Sequence, residues 1–422
     1  MKRILVGFLT IVFMVCLQGP IMAAQPKPGY SVVTGKEDPS VDVIAVQKAV
    51  DRGGSVELKG NFDFGKDGNV IISKDVNIFG ETDAQGAPVT KIQGGFWTFQ
   101  SKLPEQLPPP APGPKISILG IHFDGALWCP INLTYCSGAN IVGNKITNVR
   151  PIPSKRPIFG KMGLSRQKGI AISGHQMKPG EKPKHIPEAI TGILSISDNE
   201  IDLTNEIPEK TMAQGVFVLG STGATVKITG NSIMNCSLNS IEALDNYNVE
   251  DGNGIVIIKD NRIITSSVGV PVPSPSTPNG ILVAWFLDLT GASDPVRRDK
   301  VIVVDNQIET RGETSSAITV ISDEAVIASN DIRLKGGPKA KAIVQLSSDG
   351  VIADNKIEGS GFCGVMVTPF KHLKGNRNTL VGNDFNLFHP TAANVLLQSS
   401  DNVVMGKCGK VIDKAQGNQI LK

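Results

Sequence analysis

Nine times along the chain an asparagine stands two residues before an isoleucine, or once a phenylalanine, and directly after a short run of alternating apolar residues. These are Asn144, Asn199, Asn231, Asn261, Asn306, Asn330, Asn355, Asn383 and Asn418. The tightest spacings are 24 residues from Asn306 to Asn330, 25 from Asn330 to Asn355 and 28 from Asn355 to Asn383. A chain that returns to one pattern at such a period stacks like units on one another, which makes it a solenoid. The runs before each asparagine, such as "ATVKI", "GIVII", "KVIVV" and "GVIA", alternate and are rich in Ile and Val, so the unit is built of strands. A second strand reads upstream of most asparagines, as in "GIAIS" (169–173), "GVFVL" (215–219), "SIEAL" (240–244) and "GILVA" (280–284). Coils of two or three short strands, stacked about 4.8 Å apart, predict a rod of roughly 50 Å from about eleven or twelve coils. The asparagines are expected at the corners, where they take the left-handed backbone angles of a sharp bend and bond amide to amide along the stack. The residue two places later is expected to point inward.

These Asn-x-Ile repeats resemble the right-handed parallel β-helix superfamily, the pectin-lyase-like fold. The resemblance implies an all-β, single-stranded right-handed parallel β-helix over nearly all of residues 25–422, with any binding groove beside one parallel sheet and walled by long loops. The segment "SVDVIAVQKAVDRGGSVELKGNFDFG" (40–65) resembles the start of such proteins. Its Val43, Val46, Ala49 and Val50 share one face at helical spacing, and Gly53-Gly54 ends the helix, so a capping helix is expected over about 41–52.

The first residues, "MKRILVGFLTIVFMVCLQGPIMAAQ", combine Lys2 and Arg3, an apolar run from Ile4 to Leu17 and the small pair Ala23-Ala24. This pattern predicts a signal peptide over 1–24, hence a secreted, periplasmic or cell-surface protein with no integral span after cleavage. Without that segment 40 basic residues face 39 acidic ones, so overall charge points to no polyanionic partner, and few aromatics argue against nucleic acid. Five cysteines remain, Cys129, Cys136, Cys236, Cys363 and Cys408, with no C-x-x-C pair to suggest zinc or redox chemistry. Cys129 and Cys136 are close enough in sequence to bridge; the others read as buried thiols.

Two intervals break the regular spacing and supply candidate groove walls, at about 150–190 and 268–300. From Arg150 to His185 the first holds nine basic residues and one acid, Glu181. A positive segment on a nearly neutral protein suits an acidic polysaccharide, so Lys155, Arg156, Arg166 and Lys168 are candidate binding residues. Trp285, in the second interval, is a candidate sugar-stacking ring. Reading the "G-I-x-V-x" strands with Ile and Val inward, one outward column holds Ala171, Phe217, Glu242, Leu282, Thr319, Met366 and Leu396. Hydrolysis needs paired carboxylates on neighbouring coils, and this column holds one acid. The candidate catalytic groups are therefore Glu242, Asp245 nearby in "SIEALDNYNVEDGNG", and His175 as a proton carrier. The polygalacturonase-like and pectate-lyase-like motifs are absent or only approximated. No calcium-loop motif supports a Ca²⁺ site, and no His- or Met-rich cluster supports copper, so no cofactor is expected. Two readings of function follow. One is an exported protein that binds a polysaccharide and processes it as a lyase or hydrolase; the other is a non-catalytic envelope scaffold whose apolar outward columns meet a partner protein.

Overall fold

The computed structural model describes residues 29–155, 160–176, 184–246, 254–270, 279–284, 300–313, 315–370, 373–388 and 393–421. Three long sheets run through them, of 14, 11 and 13 strands, here called sheets A, B and C. One coil takes the chain through Thr225–Thr229 in sheet A, Ser232–Cys236 in sheet B and Asn239–Leu244 in sheet C, and returns it to sheet A at Ile255–Lys259. Each strand pairs in parallel with its equivalent one coil later, as Val226 with Val256, Ile233 with Ile263 and Ile241 with Ile281. Parallel strands joined through such connections wind right-handed. The chain is thus a right-handed parallel β-helix, as its repeats imply.

The helix Pro39–Val50 lies against the first strand of each sheet. Asp38 caps it, its carboxylate accepting the Ser40 N–H at 2.9 Å, and Val46, Ala49 and Val50 enter the core. Buried Asp42 accepts backbone N–H bonds from Lys36 (2.8 Å), Asp38 (3.2 Å) and Asp63 (2.9 Å), tying the helix to the first coil.

The corner between sheets A and B shows what the asparagines do. From Asn144 through Asn199, Asn231, Asn261, Asn306, Asn330 and Asn355 to Asn383, each Nδ2 donates to the next Oδ1 at 2.8–3.0 Å. The same oxygen also accepts the backbone N–H of the asparagine one coil back, for example Asn306 N to Asn330 Oδ1 at 3.0 Å. The isoleucines two residues on, Ile146 to Ile357, are fully buried in the core, and Phe385 packs against it.

Two expectations need correcting. The left-handed angle falls on the residue before the asparagine: Gly143, Asp198, Gly230, Asp260, Asp305, Ser329, Asp354 and Gly382 all have φ between 53° and 67°. Glycine, Asp and Ser tolerate that conformation, which leaves the asparagine free to serve the ladder. Asn418, moreover, is not part of this ladder. It ends a second one at the entry to sheet A, in which Asn378 donates to Asn402 and Asn402 to Asn418, both at 3.1 Å. Arg377, Asp401 and Gly417 take the positive φ before each.

The first long interval is not a single loop. The nine-residue strand Ser165–Ser173 runs through it in sheet C, and Asn279–Ala284 does the same in the second. Sheet C also contains Lys341–Gln345, missed from the sequence, which places Val344 between Thr319 and Met366 in the outward column. Residues 1–24, expected from the sequence to be a signal peptide, lie outside the described residues. All five described cysteines are free and buried, and Cys129 and Cys136 do not bridge. Burial pushes both thiols up to about 12.

Candidate functional site

Sheet C carries a repeated kink that sets its outer face. Its strand pairing skips one position in successive coils, passing from Lys168–Gln214 to Ile170–Val216, from Gln214–Asn239 to Val216–Ile241, and from Asn239–Asn279 to Ile241–Ile281. Small residues occupy the skipped sites Gly169, Gly215, Ser240 and Gly280. A Cβ on Gly215 would meet Ile233 Cγ2 at 2.5 Å and Ser240 O at 2.5 Å, so glycine is required where the backbone presses on the sheet B isoleucine. The kink places two consecutive residues inward. It thereby brings two columns outward, a polar one of Lys168, Gln214, Asn239 and Asn279 and the mainly apolar one through Phe217, Glu242 and Leu282.

Glu242 sits where the columns meet. Its Oε2 accepts from Gln214 Nε2 and, at 2.7 Å, from Asn239 Nδ2. Asn239 Oδ1 accepts Asn279 Nδ2 at 2.9 Å, and Asn279 Oδ1 accepts Thr319 Oγ1 at 2.7 Å. This polar chain spans four coils and satisfies a carboxylate that is only 8% exposed.

Toward the N-terminal end the same face turns aromatic and basic. The Lys168 ammonium lies 3.0 Å from the centroid of the Phe217 ring, and the Arg166 guanidinium lies 4.6 Å over Trp128. Trp128 packs on Trp97 of the preceding coil at 5.0 Å between centroids, and Phe96 lies 4.6 Å from Trp97. The ring quadrupole attracts each cation and holds it in place. The signals that could have found this shelf, "GFWTF" and "ALWCP", contain no repeat asparagine and were passed over. Beside it, at the corner of sheets B and C, opens a cleft of about 490 Å³ lined by Asp63, Lys66, Gln93, Asp124, Asn148 and Arg150, among others.

At the other edge of sheet C, His175 and Asp245 come together across two coils. His175 Nε2 is 3.9 Å from Asp245 Oδ2, and both side chains are fully buried. Between them in the stack lies Gly220, whose absent side chain makes room: a Cβ there would fall 2.1 Å from His175 Cδ2. His175 faces His185 through the antiparallel pair His175–Gln176 and Lys184–His185, with ring centroids 5.6 Å apart. Burial, aided by His185, pushes the His175 pKa down to about 3; burial pushes His185 down to about 4. Both imidazoles are neutral at ordinary pH, so the His175–Asp245 contact is polar and not an ion pair.

The candidates therefore separate into groups. Arg166 and Lys168 share one strand and one face with Glu242 two coils on. Asp245 and His175 meet each other but lie three residues along the strand from Glu242, roughly 10 Å away by strand rise. Lys155 is exposed and follows the short strand Ile152–Pro153, which pairs antiparallel with Ser165 and Arg166. Arg156 and Trp285 lie outside the described residues. The apolar outward column is itself buried, with Phe217 at 8%, Leu282 at 6% and Leu396 at 3% exposure, and packs with Leu373 and Phe370. It does not present the open surface that the scaffold reading invoked. Among the described residues no three His, Cys, Asp or Glu side chains converge on a metal position, and no helix is long and apolar enough to cross a membrane.

No protein-family model matches the sequence, and no curated protein matches it. Solved structures do. The A-module of the Azotobacter vinelandii mannuronan C-5 epimerase AlgE4 is 12% identical with a TM-score of 0.45, over 88% of this chain and 98% of its own. The Streptococcus pneumoniae surface protein and adhesin PfbA is 12% identical at 0.45, over 87% and 99%. A PL6 alginate lyase, in complex with a trisaccharide, is 11% identical at 0.38, over 94% and 85%. At those identities the likeness says nothing about activity.

Proposed function

We propose that this β-helix protein is exported and binds an acidic polysaccharide along the outer face of sheet C. The observation that carries the proposal is a pair of partly exposed cations on one strand, Arg166 over Trp128 of the preceding coil and Lys168 over Phe217 of the following one. Fixed cations beside partly exposed aromatic rings match a polymer that presents carboxylates and sugar faces in turn. Lys155, Arg156 and Trp285, candidates from the sequence, belong to the proposal as further sugar-binding residues. Native-gel retardation by a soluble polyuronate, compared with a neutral glucan, tests the reading. Retardation is expected with the polyuronate alone, to weaken with salt as screened charge attraction does, and to disappear in Arg166→Glu/Lys168→Glu. Undiminished retardation of that variant would refute it.

A second reading makes the protein a lyase or hydrolase acting at Glu242. It is favoured by one feature, that Glu242 is the single acid of the outward column and stands one coil from Phe217 and its ammonium. Against it, Oε2 of Glu242 is already occupied by the Gln214 and Asn239 amides and the side chain is buried away from a substrate. Neutral His175 with Asp245 would here hold the end of the strand instead of moving protons. Release of unsaturated, ultraviolet-absorbing products or of reducing ends, lost in Glu242→Gln/Asp245→Asn, would establish this reading over simple binding.

A further inference from the structure

Trp97 and Trp128 carry two costs that packing alone does not require. Each has a left-handed backbone, with φ of 51° and 70°, a conformation that bulky side chains rarely adopt. Each also has an indole Nε1–H buried without a hydrogen-bond partner among the described residues, where a buried Trp N–H ordinarily finds one. The strain is held in place deliberately. Asn69 Nδ2 donates to the carbonyls of Phe96 (3.1 Å) and Trp97, the Trp128 N–H donates to Arg150 O at 2.8 Å, and Trp128 O accepts the Lys168 N–H at 2.7 Å. Phe96 and Leu127 bridge in parallel, so the two indoles occupy equivalent places on consecutive coils, and both remain partly exposed. Local rules broken in the same way at adjacent equivalent positions, and braced by dedicated bonds, mark a site kept for a ligand.

We propose that Trp97 and Trp128 form a sugar-stacking subsite at the N-terminal end of the groove, where Arg166 above Trp128 pairs with a carboxylate of the stacked sugar. The inference rests on the polysaccharide reading and adds to it a position and a length requirement. In coil steps Trp97 lies two from Lys168 and three from Gln214, roughly 10 and 14 Å at the spacing of neighbouring strands. A short oligosaccharide anchored at Lys168 and Gln214 does not reach it; a longer one does.

The experiment is a titration calorimetry series with uronate oligosaccharides from the disaccharide to the octasaccharide, run on the full mature chain. For the wild type, affinity is expected to rise with length and then level off once the shelf is reached. In Trp97→Ala and Trp128→Ala the longer oligosaccharides are expected to lose about tenfold in affinity, while the disaccharide changes less than twofold. Trp97→Phe and Trp128→Phe keep a ring and are expected to recover most of the loss, which separates stacking from a general effect on folding. Alanine variants that bind the octasaccharide as the wild type does would overturn the subsite and leave the parent reading standing. Equal loss at every length, unrelieved by phenylalanine, would also overturn it, by showing a structural role. No binding of any oligosaccharide by the wild type would sink the parent reading itself.

Discussion

Gly220→Ala isolates the geometry of the buried histidine corner. Gly220 has φ of +70°, and a Cβ there would stand 2.1 Å from His175 Cδ2 and 2.6 Å from Nε2. Left-handed alanine costs about 1–2 kcal/mol on backbone sterics, and over-packing a full interior adds about 1–3 kcal/mol. The substitution should therefore destabilise by roughly 2–5 kcal/mol. Only the second part depends on His175, because the backbone strain persists whatever stands opposite. In a double-mutant cycle with His175→Ala, urea unfolding followed by circular dichroism should thus show a coupling of about 1–3 kcal/mol, with Gly220→Ala better tolerated once the ring is gone. Additive effects within about 0.5 kcal/mol would mean that His175 does not lie over Gly220, and the contact with Asp245 would fall with it.

The same histidines predict a pH dependence. Both have folded pKa values below the ordinary 6.5, at about 3 and 4, so the unfolded chain binds protons that the folded chain refuses as pH drops below 6.5. Stability should fall by up to about 1.4 kcal/mol per pH unit for each ring between pH 6.5 and the folded pKa, and His175→Gln/His185→Gln should flatten the melting temperature measured from pH 7 to pH 5. Asn330→Ala, in mid-ladder, leaves the Asn306 N–H and Nδ2 without their shared acceptor and should cost roughly 2–4 kcal/mol by chemical denaturation. Glu242→Ala strands the Asn239 and Gln214 amides and should cost about 1–3 kcal/mol, with Glu242→Gln recovering part of it; equal stability of the two variants in a thermal melt would deny the network.

The fold was largely legible because its rule is written locally. A buried amide must find a partner, and an asparagine followed by an inward isoleucine recurs wherever one coil stacks on the next. The left-handed residue was misassigned because Asp, Gly and Ser before the asparagine look like ordinary turn composition; only when they are aligned across coils does their shared φ emerge. Asn418 was misplaced because two ladders at different corners use the same Gly/Asp-Asn dipeptide. The site was less legible. Arg166, Lys168 and Glu242 were reached through charge and strand parity. Their partners Trp97, Trp128 and Gln214 lie far off in sequence and meet them only through register. Parity counting also assumes a regular strand, and the kink at Gly169, Gly215 and Gly280 shifts it by one, which is why the polar column beside Glu242 went unread.

The principal row of eight asparagine amides has a sense as well as a length. Every Nδ2 from Asn144 to Asn355 donates to the Oδ1 one coil on, besides a backbone carbonyl of the coil before, and the amide-to-amide bonds of Asn378 and Asn402 run the same way. Peptide-like dipoles lined up head to tail reinforce one another, as they do along an α-helix. The row of amide-to-amide bonds therefore has a polarity along the axis, its donors facing the C-terminal coils and its acceptors the helix-bearing end. An amide removed at Asn261 would do more than delete the two bonds its Oδ1 accepts and the three its Nδ2 donates: it would cut one long row into two short ones.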